Sequence, residues 1–299
     1  MPRVTDERVA ELTDQLENGI KELYASGRYE EYLRMMSKFH QYSPGNVMLI
    51  LLQCPHATQV AGYRRWKEKF GRQVKRGEKG IKILAPCPYK RVLEQEQTAP
   101  GDGQQPDTVT VKFLHFKVAT VFDVSQTEGR ELPTLGVDEL TGDVPGYSEL
   151  YGRLTEYAPV PVEVEPVPGE AKGYFSPQEQ RIVLRPGMGQ VQTLKTLVHE
   201  IAHSKLHTPE QMKPEEQKGR REKEVEAESV AFVVCQHFGI STSDYSFGYV
   251  AGWSRGKELA KLKASLDTIR TTAAEIINTI QPPEREAPET VPHKNAPSR

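Results

Sequence analysis

The sequence predicts an α+β fold in two folded regions, on three observations. Amphipathic helical patterns open and close the chain. Alternating apolar and polar residues flank a Gly/Gln/Pro-rich stretch before its middle. A histidine-bearing helical turn, followed by a carboxylate-rich helix, occupies the second half. The expected division is a mixed helix/sheet N-terminal domain (1–130), a linker (131–145), a second α+β domain (146–281) and a disordered tail (282–299). With 299 residues the chain can bury a sizeable core, so two domains plus tails is the natural partition.

Thr5 to Leu23 places Val9, Leu12, Leu16, Ile20 and Leu23 on one helical stripe. A shorter helix is expected over Tyr29 to Phe39, ended by the turn residues Ser43-Pro44-Gly45-Asn46. Val47 to Gln53 then reads as a buried helix. Beyond Ala61-Gly62-Tyr63-Arg64-Arg65-Trp66, alternation in Ile81-Lys82-Ile83 and the flanking glycines predict strands joined by a tight turn. The stretch Gln95 to Asp107 is a hairpin connection to a second alternating run, Val109 to Val121. In the second half a helix is expected near Tyr147 to Tyr157. A hairpin follows, with Gly173-Tyr174-Phe175 and Arg181-Ile182-Val183-Leu184 meeting around Ser176-Pro177. A long helix, Gly256 to Ile280, ends the folded part. The Pro-rich polar residues after Pro282 cannot bury a core.

Composition excludes some classes. Formal net charge is −2 and charged residues make up 27%, an ordinary soluble balance. Cys54, Cys87 and Cys235 are far apart, odd in number and without metal-ligand spacing, so a disulfide framework is not expected and a reducing cytoplasm is the simplest home. Residues Pro2 to Glu22 are charged throughout, unlike a signal peptide. The longest apolar run, Val47 to Leu52, is too short to cross a bilayer, so no membrane partner is expected.

Chemistry concentrates in His199-Glu200-Ile201-Ala202-His203. Two histidines four apart share a helix face, so both imidazoles can reach one metal ion. Glu200, beside the first, is then placed as the general base for a water on that ion. The apolar residues Leu194, Leu197, Val198, Ile201 and Ala202 give the helix a buried side. Two solvated histidines on an amphipathic helix are the plain alternative, and the following helix weighs against it. A zinc hydrolase needs three protein ligands and an open position. Glu224 is the candidate third ligand. Glu228, one turn on, could accept a hydrogen bond from a ligand histidine and fix its tautomer. Glu222 and Glu226 read as a solvated face. His207, one turn past His203, ranks second as a ligand, because three histidines down one helix span too far for one tetrahedral ion. The pattern resembles that of gluzincins, with Glu228 standing where their second helix carries Asp.

Charge is uneven along the chain. Arg64, Arg65, Lys67, Lys69, Arg72, Lys75, Arg76, Lys79, Lys82, Lys90 and Arg91 fall between Ala61 and Arg91, against only Glu68 and Glu78. Tyr63, Trp66, Phe70 and Tyr89 are interleaved with them, and Tyr42 and Asn46 sit at the preceding turn. Such a surface could bind phosphates through its cations and stack unpaired bases on its aromatics. A solvated basic face over core aromatics fits the same composition.

Several segments together resemble the ArdC-like antirestriction proteins of plasmids and other conjugative elements. They are Ser43-Pro44-Gly45-Asn46, Gly62-Tyr63-Arg64-Arg65-Trp66, Lys75-Arg76-Gly77-Glu78-Lys79-Gly80, Val121-Phe122-Asp123-Val124-Ser125-Gln126-Thr127, Gly173-Tyr174-Phe175 and the His199 helix. The resemblance implies an N-terminal domain that binds single-stranded DNA, a C-terminal zincin-like metallopeptidase domain, and protection of incoming DNA from restriction. The expectation is therefore a cytoplasmic protein of a mobile element with Zn²⁺ on His199, His203 and Glu224, Glu200 as catalytic base and an unknown protein substrate. Tyr42, Asn46, Tyr63, Arg64, Arg65, Trp66, Lys75, Arg76 and Lys79 are its expected DNA-binding residues. Two rivals are a DNA-coating protein with a structural or inactive zinc site and a metal-dependent nuclease. The intact Glu200 counts against the first. The second would favour clustered carboxylates.

Overall fold

Helix α1 (Val4–Ala25) leads into α2 (Tyr29–Lys38) and α3 (Pro44–Gln53), which pack on one another around Ile20, Leu23, Leu33, Met36, Val47 and Ile50. The computed structural model describes residues 4–94, 108–132, 144, 146–208, 218–240, 247, 250 and 254–281. The expected Gln95–Asp107 loop, most of the 131–145 linker and the 282–299 tail lie outside these residues. Helix α3 starts three residues before the sequence expectation, because Ser43 caps it: its hydroxyl accepts from Asn46 N–H at 3.3 Å, and Pro44 needs no partner in the first turn.

Next come β1 (Val60–Ala61), α4 (Tyr63–Glu68), β2 (Arg72–Val74), β3 (Ile81–Glu94), β4 (Thr108–Asp123) and β5 (Thr127–Gly129). Strands β3 and β4 form one long antiparallel ribbon from Ile81↔Val121 to Glu94↔Thr108. Strand β1 flanks β4, while β2 and β5 pair separately. Gly77, at φ +88°, makes the turn in Lys75-Arg76-Gly77-Glu78, a conformation other residues adopt at a cost.

The run after β4 is a clamp. Asp123, 1% exposed, accepts from the backbone N–H groups of Thr58 (2.8 Å), Gln59 (3.1 Å) and Ser125 (2.9 Å) and from Ser125 Oγ (2.6 Å). Burial pushes its carboxyl up, but these donors outweigh burial and hold it below the ordinary value. Gln126 completes the clamp. Its Oε1 accepts from Asp123 N–H at 3.0 Å, and its Nε2 donates to Lys79 O at 2.8 Å.

The second half holds α5 (Tyr147–Tyr157), β6 (Val162–Val164), β7 (Gly173–Ser176), β8 (Arg181–Leu184), α6 (Gln190–Leu206), α7 (Arg220–His237) and α8 (Leu259–Ile280). The three strands run in the order β6-β8-β7, with β6 parallel and β7 antiparallel to β8, so among the described residues β7 is an edge. Helix α7 is buried around its girth by Val225, Ala227, Val230, Phe232, Val233 and Val234, as a helix between other helices must be. It packs on α6, α8 and α2. Tyr29 Oη lies 3.0 Å from Ser229 Oγ, and the Arg34 guanidinium sits 5.6 Å over the Phe232 ring. Apolar residues of both halves therefore share one core. Among the described residues, no helix is long and apolar enough to cross a membrane.

Candidate functional site

Helix α6 carries His199, Glu200 and His203, and α7 brings Glu224 against them. His199 Nε2 and His203 Nε2 are 3.0 Å apart, and Glu224 Oε2 lies 3.6 and 3.7 Å from them. Ligand bonds of about 2.0–2.2 Å in a tetrahedron would space such atoms about 3.3–3.5 Å apart, so the donor set suits one divalent ion. All three ligand atoms fall within 4.8 Å of one another. The imidazoles of His199 and His203 beside it hold the Glu224 carboxyl far below the ordinary value. The His199 imidazole is held above its own, because Glu224, Glu200 and Glu228 together outweigh burial.

Glu200 is buried, and burial raises its carboxyl above the ordinary value despite His199, His203 and a hydrogen bond from the Phe175 backbone. It borders two hollows of about 360 and 620 Å³, whose linings share Gly173, His199 and Glu200 and flank the site. Tyr174 and Phe175 of β7 line the larger hollow. Gly173 is required where β7 presses on α6: a Cβ there would lie 2.7 Å from Thr196 Cγ2 and 2.7 Å from Val183 O. Glu228 lines the smaller hollow with His199, and its charge raises that imidazole's proton affinity.

Two acidic residues expected on a solvated face are not there. Glu226 is 0% exposed, with Lys218 Nζ at 2.8 and 2.9 Å from its two oxygens and His207 Nε2 at 3.2 Å. Burial pushes its carboxyl up, but His207 and Lys218 more than reverse this. Glu222 is paired with Lys257 at 2.7 Å. The reason is that α7 has neighbours on every side, leaving little solvated face. His207, the second-ranked ligand, lines the larger hollow but is outside the ligand cluster. Its Nδ1 lies 2.9 Å from His203 Nδ1, on the far side of that ring from Glu224. The sequence signal for this was its spacing, one turn beyond His203. Nothing in the pattern pointed to Lys218.

The expected nucleic-acid residues divide. Trp66 is corrected: it is 0% exposed, and its Nε1–H donates to Phe122 O at 2.9 Å, so no base can reach its face. Asn46 is corrected too. Its side chain donates to Leu84 O and accepts from Leu84 N–H, both at 2.9 Å, fastening α3 to β3. Tyr42 is half-buried, its ring edge-on to Phe39 and its hydroxyl directed at Val60 O. Tyr63 is 52% exposed, and its ring stands 6.4 Å from that of Phe122. Arg64, Arg65, Lys75, Arg76 and Lys79 are exposed, as are Lys67 and Lys69. Lys75 is partly engaged, its Nζ donating to Ser125 O at 2.9 Å. The side chains of Tyr89, Lys90 and Arg91 lie outside those described.

Residues 2–122 match the family model described as the N-terminal domain of anti-restriction factor ArdC. An uncharacterized protein of Bacillus anthracis is 27% identical over 319 residues, covering 92% of this chain. The chain spans about half, 51%, of that relative's length. The metal-free crystal structure of the antirestriction ArdC protein from plasmid R388 superposes with a TM-score of 0.52 at 22% identity, covering 80% of this chain and 84% of that one. At that identity the match shows a shared α+β fold. The Mn(II)-bound structure of the same protein has a TM-score of 0.49 at 22% identity over the same shares.

Proposed function

Starting from a chain whose residues 2–122 belong to the ArdC N-terminal domain family, we propose that it is a cytoplasmic single-stranded-DNA-binding protein of a mobile element. In this proposal residues 146–281 form a zincin-like, zinc-dependent peptidase domain, and the protein protects incoming DNA from restriction. One observation carries the peptidase part: His199 Nε2, His203 Nε2 and Glu224 Oε2 converge beside a buried Glu200, on a hollow edged by β7.

Zinc on those three side chains would supply an acidified water and a Lewis acid for a carbonyl. The remaining steps belong to this chain. An extended peptide can lie along β7 as a further strand, since β7 is the sheet edge and Gly173, Tyr174 and Phe175 line the larger hollow. Glu200, its proton affinity raised by burial, takes a proton from the attacking water and returns it to the leaving amine. Tyr174, which lines the larger hollow, would steady the oxyanion. The DNA-binding half rests on Tyr63 and the exposed cations Arg64, Arg65, Lys75, Arg76 and Lys79.

The test is Glu200→Gln, compared with the parent on protein substrates with and without single-stranded DNA. Metal content should be unchanged and cleavage should fall by about two to four orders of magnitude. Equal cleavage by both proteins would rule the mechanism out. No cleavage by the parent under any condition would favour a DNA-coating protein with an inactive site.

A further inference from the structure

We propose that His207, Glu226 and Lys218 form a buried line of hydrogen bonds that fixes the ring and the proton of His203, making His207 a positioning residue for the metal site. The inference rests on the metal-site assignment above and concerns residues outside the ligand set.

The line is continuous. His203 turns Nε2 toward His199 and Glu224 and turns Nδ1 toward His207 Nδ1, 2.9 Å away. His207 Nε2 then meets Glu226 Oε2 at 3.2 Å, and Lys218 Nζ closes the line on Glu226 at 2.8 and 2.9 Å. Its middle is buried, the side chains of His207 and Glu226 being 4% and 0% exposed. The parts come from three places: His207 caps the C-terminus of α6, Glu226 lies on α7, and Lys218 lies just before α7.

Proton bookkeeping gives the line a direction. A neutral imidazole that offers Nε2 as a ligand must carry its proton on Nδ1. His203 Nδ1–H therefore donates to His207 Nδ1, which must be bare. His207 then carries its own proton on Nε2 and donates it to the Glu226 carboxylate. Glu226 accepts again from the Lys218 ammonium, which balances its charge. The opposite tautomers would put a proton on His203 Nε2, at the ligand position, and would leave two lone pairs facing each other at His207 and Glu226. One arrangement satisfies every atom, and it is the one a ligand histidine requires. His207 is thus kept from ligation, since one of its nitrogens is engaged by His203 Nδ1 and the other by Glu226.

The experiment measures affinity for Zn²⁺ alone, by competition with a chromophoric chelator, on the purified full-length chain. His207→Leu fills the space but cannot accept from His203. It should weaken zinc binding about 10–100-fold, the usual loss when a ligand's hydrogen-bond partner is removed. His207→Gln can still accept from His203 and donate to Glu226, and should stay within about threefold of the parent. A role in packing alone would not produce that difference between leucine and glutamine. Glu226→Gln, nearly the same shape, is the second variant should His207→Leu fail to fold, with an expected loss of at least about threefold. Circular dichroism of the metal-free proteins establishes that each variant is folded. Parent-like affinity in folded His207→Leu, or in Glu226→Gln if the leucine variant does not fold, overturns the inference and leaves the metal site standing. A parent chain that binds no zinc overturns both.

Discussion

Asp123→Asn tests how much of the N-terminal half hangs on one carboxylate. Four donors converge on Asp123: Thr58 N–H and Gln59 N–H on Oδ1, Ser125 N–H and Ser125 Oγ on Oδ2. An asparagine keeps the oxygen that serves Thr58 and Gln59 and presents an amide NH₂ to Ser125. The serine hydroxyl can turn round, but its backbone N–H cannot, and an orphaned buried donor costs about 1–3 kcal/mol. Each of the two remaining bonds loses its charge assistance, about 1 kcal/mol apiece, and a neutral amide recovers part of this because it is cheaper to bury. The sum is about 2–4 kcal/mol, which at a slope of about 3 kcal/mol per molar shifts the urea midpoint down by about 1 M. The pH dependence has a definite sign. The folded carboxyl is held below its ordinary value, so its contribution is complete above the unfolded value of about 3.9 and is lost as pH falls through the folded one. Asparagine does not titrate. The gap between parent and variant should therefore be constant from pH 7 to 5 and narrow below about pH 4. Urea titrations at pH 7, 5 and 3.5 measure it. Equal midpoints at pH 7, or a gap that widens on acidification, would refute the clamp.

Tyr63→Ala should weaken single-stranded DNA binding by about 1–3 kcal/mol with little change in salt dependence, whereas Trp66→Ala should destabilise the fold by about 3–5 kcal/mol, as fluorescence titration and thermal melting would show. Equal effects on binding from two folded variants would return Trp66 to the interface. Neutralising Lys75, Arg76 and Lys79 together should flatten the dependence of affinity on salt, each lost phosphate contact removing counterion release. An unchanged slope would exclude them from the DNA path. His199→Ala, His203→Ala and Glu224→Ala should each strip most of the metal after dialysis, while Glu222→Ala should not. Elemental analysis of the four proteins decides the register of α7.

The helix carrying His199 and His203 was legible because a four-residue spacing and an apolar flank leave the chain little choice. The β7–β8 hairpin was legible from turn residues between two short β-rich runs. The basic region was legible in composition but not in orientation. Tyr63 and Trp66 are three apart on a six-residue helix, too short for periodicity to show which is tucked under β4. Residue type also misled at Glu226. A carboxylate in a charged run reads as solvated unless its partners are known, and His207 and Lys218 lie 19 and 8 residues away in sequence. The run Phe122-Asp123-Val124-Ser125-Gln126-Thr127, distinctive enough to suggest a family, turns out to fasten neighbouring loops together.

The packing of α2 on α7 has a consequence for how the chain can be divided. The helix that offers Glu224 to the ligand cluster rests its back on Tyr29, Arg34 and Ser37 of the N-terminal half. A cut near residue 131 would uncover Tyr29, Leu33 and Met36 on one fragment and Val230, Phe232 and Val233 on the other, all of them buried in the intact chain. The proposed nucleic-acid binding and hydrolysis would then be two activities without being two modules. Each fragment would expose apolar residues that the intact chain buries, so an isolated half is a poor control for the whole. The same contact gives the metal ligands a wall built from the other end of the sequence. Variation in α2, far in sequence from the candidate ligands, therefore bears on the helix that carries Glu224.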